Sequence, residues 1–182
     1  MELLTVIGII ALIMVIGIPS FLGMGKGAGM RTAVGNLKAK MSLARQWAIT
    51  HREKTYVVFP TTNITNVDSK ASYRAYTVYT SSAGFISEWT FLPVGVVFNP
   101  SNAPTKNVFA VGVSSVPGLA IANISSLVFN PDGSAQPAND PEVYLSEGGN
   151  DPTFLIRPYS LTNGVQIISL TGTTKINDYN IR

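Results

Sequence analysis

No charged residue occurs from Leu3 to Gly25, and this uncharged run limits the environments in which the N-terminal part of the chain can fold. A helix needs about 20 apolar residues to cross the hydrocarbon core of a bilayer, and this Leu-, Ile- and Val-rich run is long enough. Pro19 interrupts it near its far end. The sequence therefore predicts that residues 1–25 form the transmembrane and assembly half of a helix.

Three interpretations of this run compete. A cleaved signal peptide begins with basic residues and has a shorter apolar core, whereas this chain begins with Met1 and Glu2. A plain single-pass anchor fits the length but leaves Glu2 without a role, because an ionisable residue beside an apolar run usually has a partner. In the third interpretation, Glu2 is an assembly device at the start of a helix that packs against other helices.

Residues 26–54 are predicted to form an amphipathic stem helix. Its packing face repeats at spacings of three and four residues and consists of Val34, Leu37, Met41, Ala44 and Ala48. Beside that face, basic residues recur every seven positions at Arg31, Lys38, Arg45 and Arg52. We expect these basic residues to form a solvated flank, with their aliphatic stems lying along the buried edge.

The glycine-rich stretch from Gly23 to Gly29 precedes the stem. Its four glycines each weaken a helix by roughly 1 kcal/mol relative to alanine. The stretch is therefore either a flexible linker or a continuing helix that can melt locally.

From Thr55 the pattern changes to short β-prone runs with a period of two, separated by Gly, Pro, Asn and Ser. The predicted strands lie at residues 55–59, 73–79, 86–91, 94–98, 121–129, 153–156 and 165–170. The segment from Asn130 to Gly133 reads as a turn, with Pro131 at its second position. Residues 55–182 are accordingly predicted to form an antiparallel, exported β domain.

Several motifs resemble the type IV pilin family. Pro19 follows Glu2 at a distance of 17 positions, and the sequence between them is apolar, as in the processed helix of these proteins. The segments 43–52, 127–135 and 165–176 are similar to the stem helix, a strand–turn unit and the closing hairpin of the H-type minor pseudopilins of type II secretion systems. Two departures are the missing basic leader before Glu2 and Ala11 where the family commonly has glycine.

The resemblance implies an α+β fold, with a long N-terminal α-helical spine packed on an antiparallel β-sheet domain. It implies a minor pilin or pseudopilin of a type II secretion or type IV pilus-like machine, which is not an enzyme and needs no cofactor. The expected partners are other pilin or pseudopilin subunits, an inner-membrane assembly platform and a prepilin peptidase that acts on a longer precursor. In this family the partner of the Glu2 carboxylate is the N-terminal amine of a neighbouring subunit. The expected location is the bacterial inner membrane, with the β domain exported.

Composition narrows the chemistry that the chain can perform. It has no cysteine and one histidine, His51, so disulfides, thiolate sites and the usual zinc patterns are excluded. An acidic segment contains Asp132, Asp140, Glu142, Glu147 and Asp151, which could supply oxygen ligands to Ca²⁺. Their spacing is irregular, and solvated loop acids are the favoured interpretation.

Two other functions stay open at this stage. One is a signal-anchored exported enzyme or binding domain, which a deep polar pocket in the β domain would favour. The other is a DNA-binding minor pilin of an uptake system, although nucleic acid is not expected, because no aromatic stacking residues alternate with the basic ones. Salt-dependent DNA binding by the β domain would favour that second alternative.

Overall fold

The computed structural model describes residues 2–62, 71–100, 108–109, 116–136, 141–147, 154–158 and 165–169. One helix, α1, runs from Glu2 to His51. The strands are β1 Thr55–Pro60, β2 Ala75–Thr80, β3 Gly84–Phe85, β4 Thr90–Phe91, β5 Val96–Phe98, β6 Ile124–Phe129, β7 Ala135–Gln136, β8 Val143–Glu147, β9 Phe154–Pro158 and β10 Val165–Ser169. The backbone of α1 is helical through the glycine-rich stretch between Gly23 and Gly29.

The strands form two antiparallel sheets. In the first, the order is β3-β2-β1-β6-β7, and β4 also pairs with β2. In the second, the order is β10-β9-β8-β5. The longest register joins β1 to β6, from Thr55 opposite Phe129 to Pro60 opposite Ile124.

The second half of α1 packs on these strands through the face that its periodicity predicts. Val34, Leu37, Met41, Ala44 and Ala48 are all buried, and so are Met30 and Ala33. They share one core with residues of both sheets, including Phe59, Phe98 and Leu145. The aromatic rings of Phe59 and Phe98 meet edge to face with their centroids 5.1 Å apart.

A smaller core lies on another part of the first sheet. Tyr56 and Val58 of β1 pack there with Tyr79 and Ile124, and Val116 covers them. The Tyr79 hydroxyl donates a hydrogen bond of 3.4 Å to the Pro117 carbonyl, which ties the 116–121 segment to β2. This arrangement explains why every residue of β1 and β2 is buried, instead of alternate residues only.

The predicted fold class, a long N-terminal α-helical spine packed on an antiparallel β-sheet domain in the pilin manner, is wrong. The described strands form two sheets, because β5 pairs with β8 and does not join β2. Among the helix residues whose side chains are described, those in the core lie between Met30 and Ala48, while Leu3 to Met14 are exposed wherever their side chains are described. Strand pairing between distant segments decides the number of sheets, and local periodicity carries no information about it.

Candidate assembly surface on the N-terminal half of the helix

The first turns of α1 present large apolar side chains to solvent. The exposed residues are Leu3, Val6, Ile7, Ile9, Ile10, Leu12, Ile13 and Met14, with exposed fractions from 48% to 76%. At 3.6 residues per turn they cover roughly 220° of the circumference, and Gly8 and Ala11 lie on the remainder. Nothing lies within 4 Å of the position that a Cβ would take on Gly8, so this side is also open. We call residues 3–14 the apolar segment.

A helix that is apolar on all sides is normally buried in a large core, an assembly or a membrane. Among the residues that the structure describes, no helix is long and apolar enough to cross a membrane. The side chains of Glu2 and Pro19, the two predicted assembly residues, lie outside the described part, although the helical backbone includes both positions.

The β domain contacts α1 at Gly29, next to the buried Met30. A Cβ atom at position 29 would lie 3.5 Å from the Pro93 Cβ. Pro93 opens a tight turn in which the Val96 amide donates to the Pro93 carbonyl at 3.0 Å. Gly95 occupies the third position with φ of 88°, which a side chain would disfavour. The sequence pattern predicts a strand at residues 94–98, whereas the observed strand begins at Val96, because the Pro-Val-Gly turn precedes it.

The other end of the packed helix is fixed by a backbone cap and a carboxylate. Arg52 has φ of 53°, and the Glu53 amide donates to the Ala48 carbonyl at 3.2 Å, as in a Schellman cap. The Glu53 carboxylate accepts hydrogen bonds from the Ser82 hydroxyl and from Trp47 Nε1, the latter at 2.9 Å. These two hydrogen bonds hold the pKa of Glu53 below its usual value, and the bond from Ser82 has the larger effect.

His51, the last helix residue, stacks on Trp47 with ring centroids 3.9 Å apart and an interplanar angle of 13°. Its Nδ1 lies 3.3 Å from the Trp47 carbonyl oxygen. The stack positions both rings at the helix end, and this ring nitrogen faces its own helix.

Arg45 departs from the predicted solvated flank. Its side chain is only 5% exposed, and its guanidinium carbon lies 5.1 Å from the centre of the Phe129 ring. Burial lowers the pKa of Arg45. A pocket of about 250 Å³ adjoins it, lined by Met41, Ser42, Arg45, Gln46, Ile49, Thr50 and Phe129. Seven-residue spacing places Arg45 beside the packing face, and Phe129 on β6 then covers it.

The acidic residues do not form a calcium site in the described part of the chain. Asp132 accepts bonds from the Ser134 hydroxyl at 2.6 Å and amide at 2.8 Å, which hold the pKa of its carboxyl below the usual value. Glu142 is buried and accepts a 2.6 Å bond from the Tyr144 hydroxyl, so it is not the solvated loop acid that was predicted. Asp140, Asp151 and the Glu147 side chain lie outside the described residues.

No group of three or more metal-binding side chains occurs among the described residues. Comparison with known proteins adds no relative: no family model, no curated protein and no solved structure matches the chain.

Proposed function

We propose that the chain is a structural assembly subunit, a minor pilin or pseudopilin of a type II secretion or type IV pilus-like machine. It polymerises through the apolar segment while the β domain stays outside the helix bundle. The observation that carries this proposal is the exposure of large apolar side chains on most sides of α1 between Leu3 and Met14.

The free energy of burying apolar side chains favours a partner that covers the apolar segment. Fully burying a Leu, Ile, Val or Met side chain gains about 1.5 to 3 kcal/mol, and more than half of that remains to be gained at most of the eight exposed positions. Soluble monomers rarely leave contiguous apolar patches of this size uncovered. Neighbouring helices of the same kind, or the lipid around them, would cover the segment.

The sequence supplies the second support, through the uncharged run from Leu3 to Gly25 and the glutamate at its start. A carboxylate in an apolar environment is costly unless it is paired. The resemblance to pilins supplies a partner for Glu2, the N-terminal amine of an adjacent subunit. In this proposal the chain is inserted once in the bacterial inner membrane, and its partners are other pilin-like subunits and an assembly platform.

Cysteine cross-linking tests the proposal directly, because the native chain has no cysteine. Ile7 and Ile9 are both exposed and lie about 200° apart around the helix axis. A chain carrying Ile7→Cys and Ile9→Cys, expressed in cells with a pilin-type assembly machine, should give a ladder of cross-linked products beyond the dimer. A ladder requires that each copy touches two neighbours.

The matched pair of variants is Glu2→Gln and Glu88→Gln on the double-cysteine background. Glu88 is an exposed carboxylate of the β domain. We expect Glu2→Gln to abolish the ladder, because the charge that pairs with the amine is lost, whereas Glu88→Gln leaves it intact. An undiminished ladder with Glu2→Gln would remove Glu2 from the assembly step, and the absence of any ladder in the parent would refute polymerisation of the chain through its apolar segment.

A further inference from the structure

Among the described residues of the β domain, the turn from Pro93 to Gly95 presents the most exposed large apolar side chain. Val94 at its tip is 95% exposed, whereas Leu92 and Val96 on either side are buried. The turn is held by the Val96-to-Pro93 hydrogen bond and by the left-handed conformation of Gly95. A branched apolar side chain is therefore held in solvent by an ordered turn.

The turn lies close to the end of the uncharged run of α1. Pro93 lies against Gly29, four residues after the end of the uncharged run at Gly25. At 1.5 Å per residue, that separation is about 6 Å along the helix axis. The headgroup layer adds roughly 5 to 8 Å on each side of a hydrocarbon core about 30 Å thick. A helix whose uncharged run fills the core thus brings the turn to the headgroup layer.

We propose that the Pro93–Gly95 turn docks into the interfacial layer of a phospholipid membrane, with Val94 inserted among the headgroups. This inference rests on the proposed function, since it requires the apolar run to be in the bilayer. The turn then sets the depth and tilt of the β domain above the membrane before the subunit enters a filament.

The closeness of the turn to the membrane-embedded part of the helix favours lipid as the partner of Val94. The turn adjoins the end of the segment that the proposed function places in the bilayer, and Val94 is a single apolar tip with Gly95 exposed beside it. Arg31 is exposed on the same helix, two residues and about 3 Å of rise beyond Gly29. The Arg31 guanidinium suits the phosphate of an anionic headgroup. In the proposed arrangement, Arg31 and the Pro93–Gly95 turn lie at a similar depth in the headgroup layer.

Single-cysteine labelling of the full chain in vesicles tests the inference. Three variants, Val94→Cys, Ala83→Cys and Ile9→Cys, each receive an environment-sensitive nitrobenzoxadiazole label in phosphatidylcholine–phosphatidylglycerol vesicles. Ala83 is the matched control, because it is exposed and follows β2 at the end of the sheet where Ser82 contacts Glu53. Nitroxide-labelled lipids, with the nitroxide either at the headgroup or deep in the acyl chain, report the depth of each label.

We expect a blue-shifted label at position 94 that headgroup nitroxide quenches, a label at position 9 that deep nitroxide quenches, and a water-like label at position 83. A water-like label at position 94 with a deep label at position 9 would overturn the inference while the proposed function stands. A blue shift at position 94 without headgroup quenching would also overturn it, because the turn would then contact protein. A water-like label at position 9 would refute membrane insertion and with it both proposals.

Discussion

The packing of Leu37 against the sheets can be tested by a pair of substitutions that lie two residues apart and have opposite expected signs. Leu37 has no exposed surface and belongs to the main core, whereas Gly35 is exposed and has no atom within 4 Å of its Cβ position. Leu37→Ala leaves a cavity, and buried Leu-to-Ala changes cost about 2 to 5 kcal/mol of unfolding free energy. Gly35→Ala stabilises the helix by about 1 kcal/mol, because alanine loses less backbone entropy than glycine.

The measurement is urea unfolding of the fragment 28–182, followed by tryptophan fluorescence. This fragment retains the packing face and omits the apolar segment, and we expect it to be soluble. With a slope of about 2 kcal/mol per molar urea, Leu37→Ala should lower the midpoint by about 1.5 M and Gly35→Ala should raise it by about 0.5 M. A loss below about 1 kcal/mol for Leu37→Ala, or shifts of the same sign in both variants, would refute the packing of α1 described above.

Two further predictions concern the carboxylate of Glu53 and two positive-φ glycines, Gly118 and Gly84. Because hydrogen bonds from Ser82 and Trp47 lower the folded-state pKa of Glu53, its stabilisation is present above the ordinary carboxyl pKa and is lost as pH falls through the folded value. The parent should therefore have a higher urea midpoint than Glu53→Gln at pH 6, and the two midpoints should converge towards pH 3; a constant difference would contradict this assignment. Gly118 and Gly84 both have positive φ, but a Cβ on Gly118 would lie 2.8 Å from the Tyr79 hydroxyl while Gly84 faces open space. Both alanine variants should lose about 1 to 2 kcal/mol to backbone strain, and Gly118→Ala should lose measurably more in thermal unfolding, so equal losses would argue against the Tyr79 contact.

The sequence predicted local features of the fold well, because their causes are local. Periodicity placed Val34, Leu37 and Met41 on one face of a helix, and the structure buries all three. The turn at Asn130 forms with Gly133 donating to the Asn130 carbonyl at 2.8 Å, as Pro131 and Gly133 indicated. Such features depend on residues within one or two turns of each other.

Features that depend on distant partners were not predicted. Arg45 was assigned to a solvated flank because nothing in the helix reveals that Phe129, 84 positions later, lies over it. β8 was not anticipated, because its flanking acids, Glu142 and Glu147, suggested a solvated loop. Pairing of β8 with β9 and β5 instead buries Glu142 beside Tyr144, and this pairing also creates the second sheet.

For the candidate site, the sequence revealed the apolar run and Glu2, but not the Pro93–Gly95 turn of the β domain that contacts the helix. A Pro-Val-Gly signal was present at residues 93–95, and the β-prone residues that follow it obscured the turn. Its place beside Gly29 is a tertiary contact that only the structure provides.

The way α1 is joined to the sheets determines how the molecule would bear force. The apolar segment and the packing face belong to one helix, and its C-terminal end turns into β1, a strand with a neighbour on each side. Tension on the apolar segment, directed along the helix axis, would reach the β domain as shear across the whole interface from Met30 to Ala48. Side chains loaded in parallel must yield together, whereas a helix peeled from one end would release them in sequence. The interface between α1 and the β domain therefore resists a force along the helix axis more strongly than a force perpendicular to that axis.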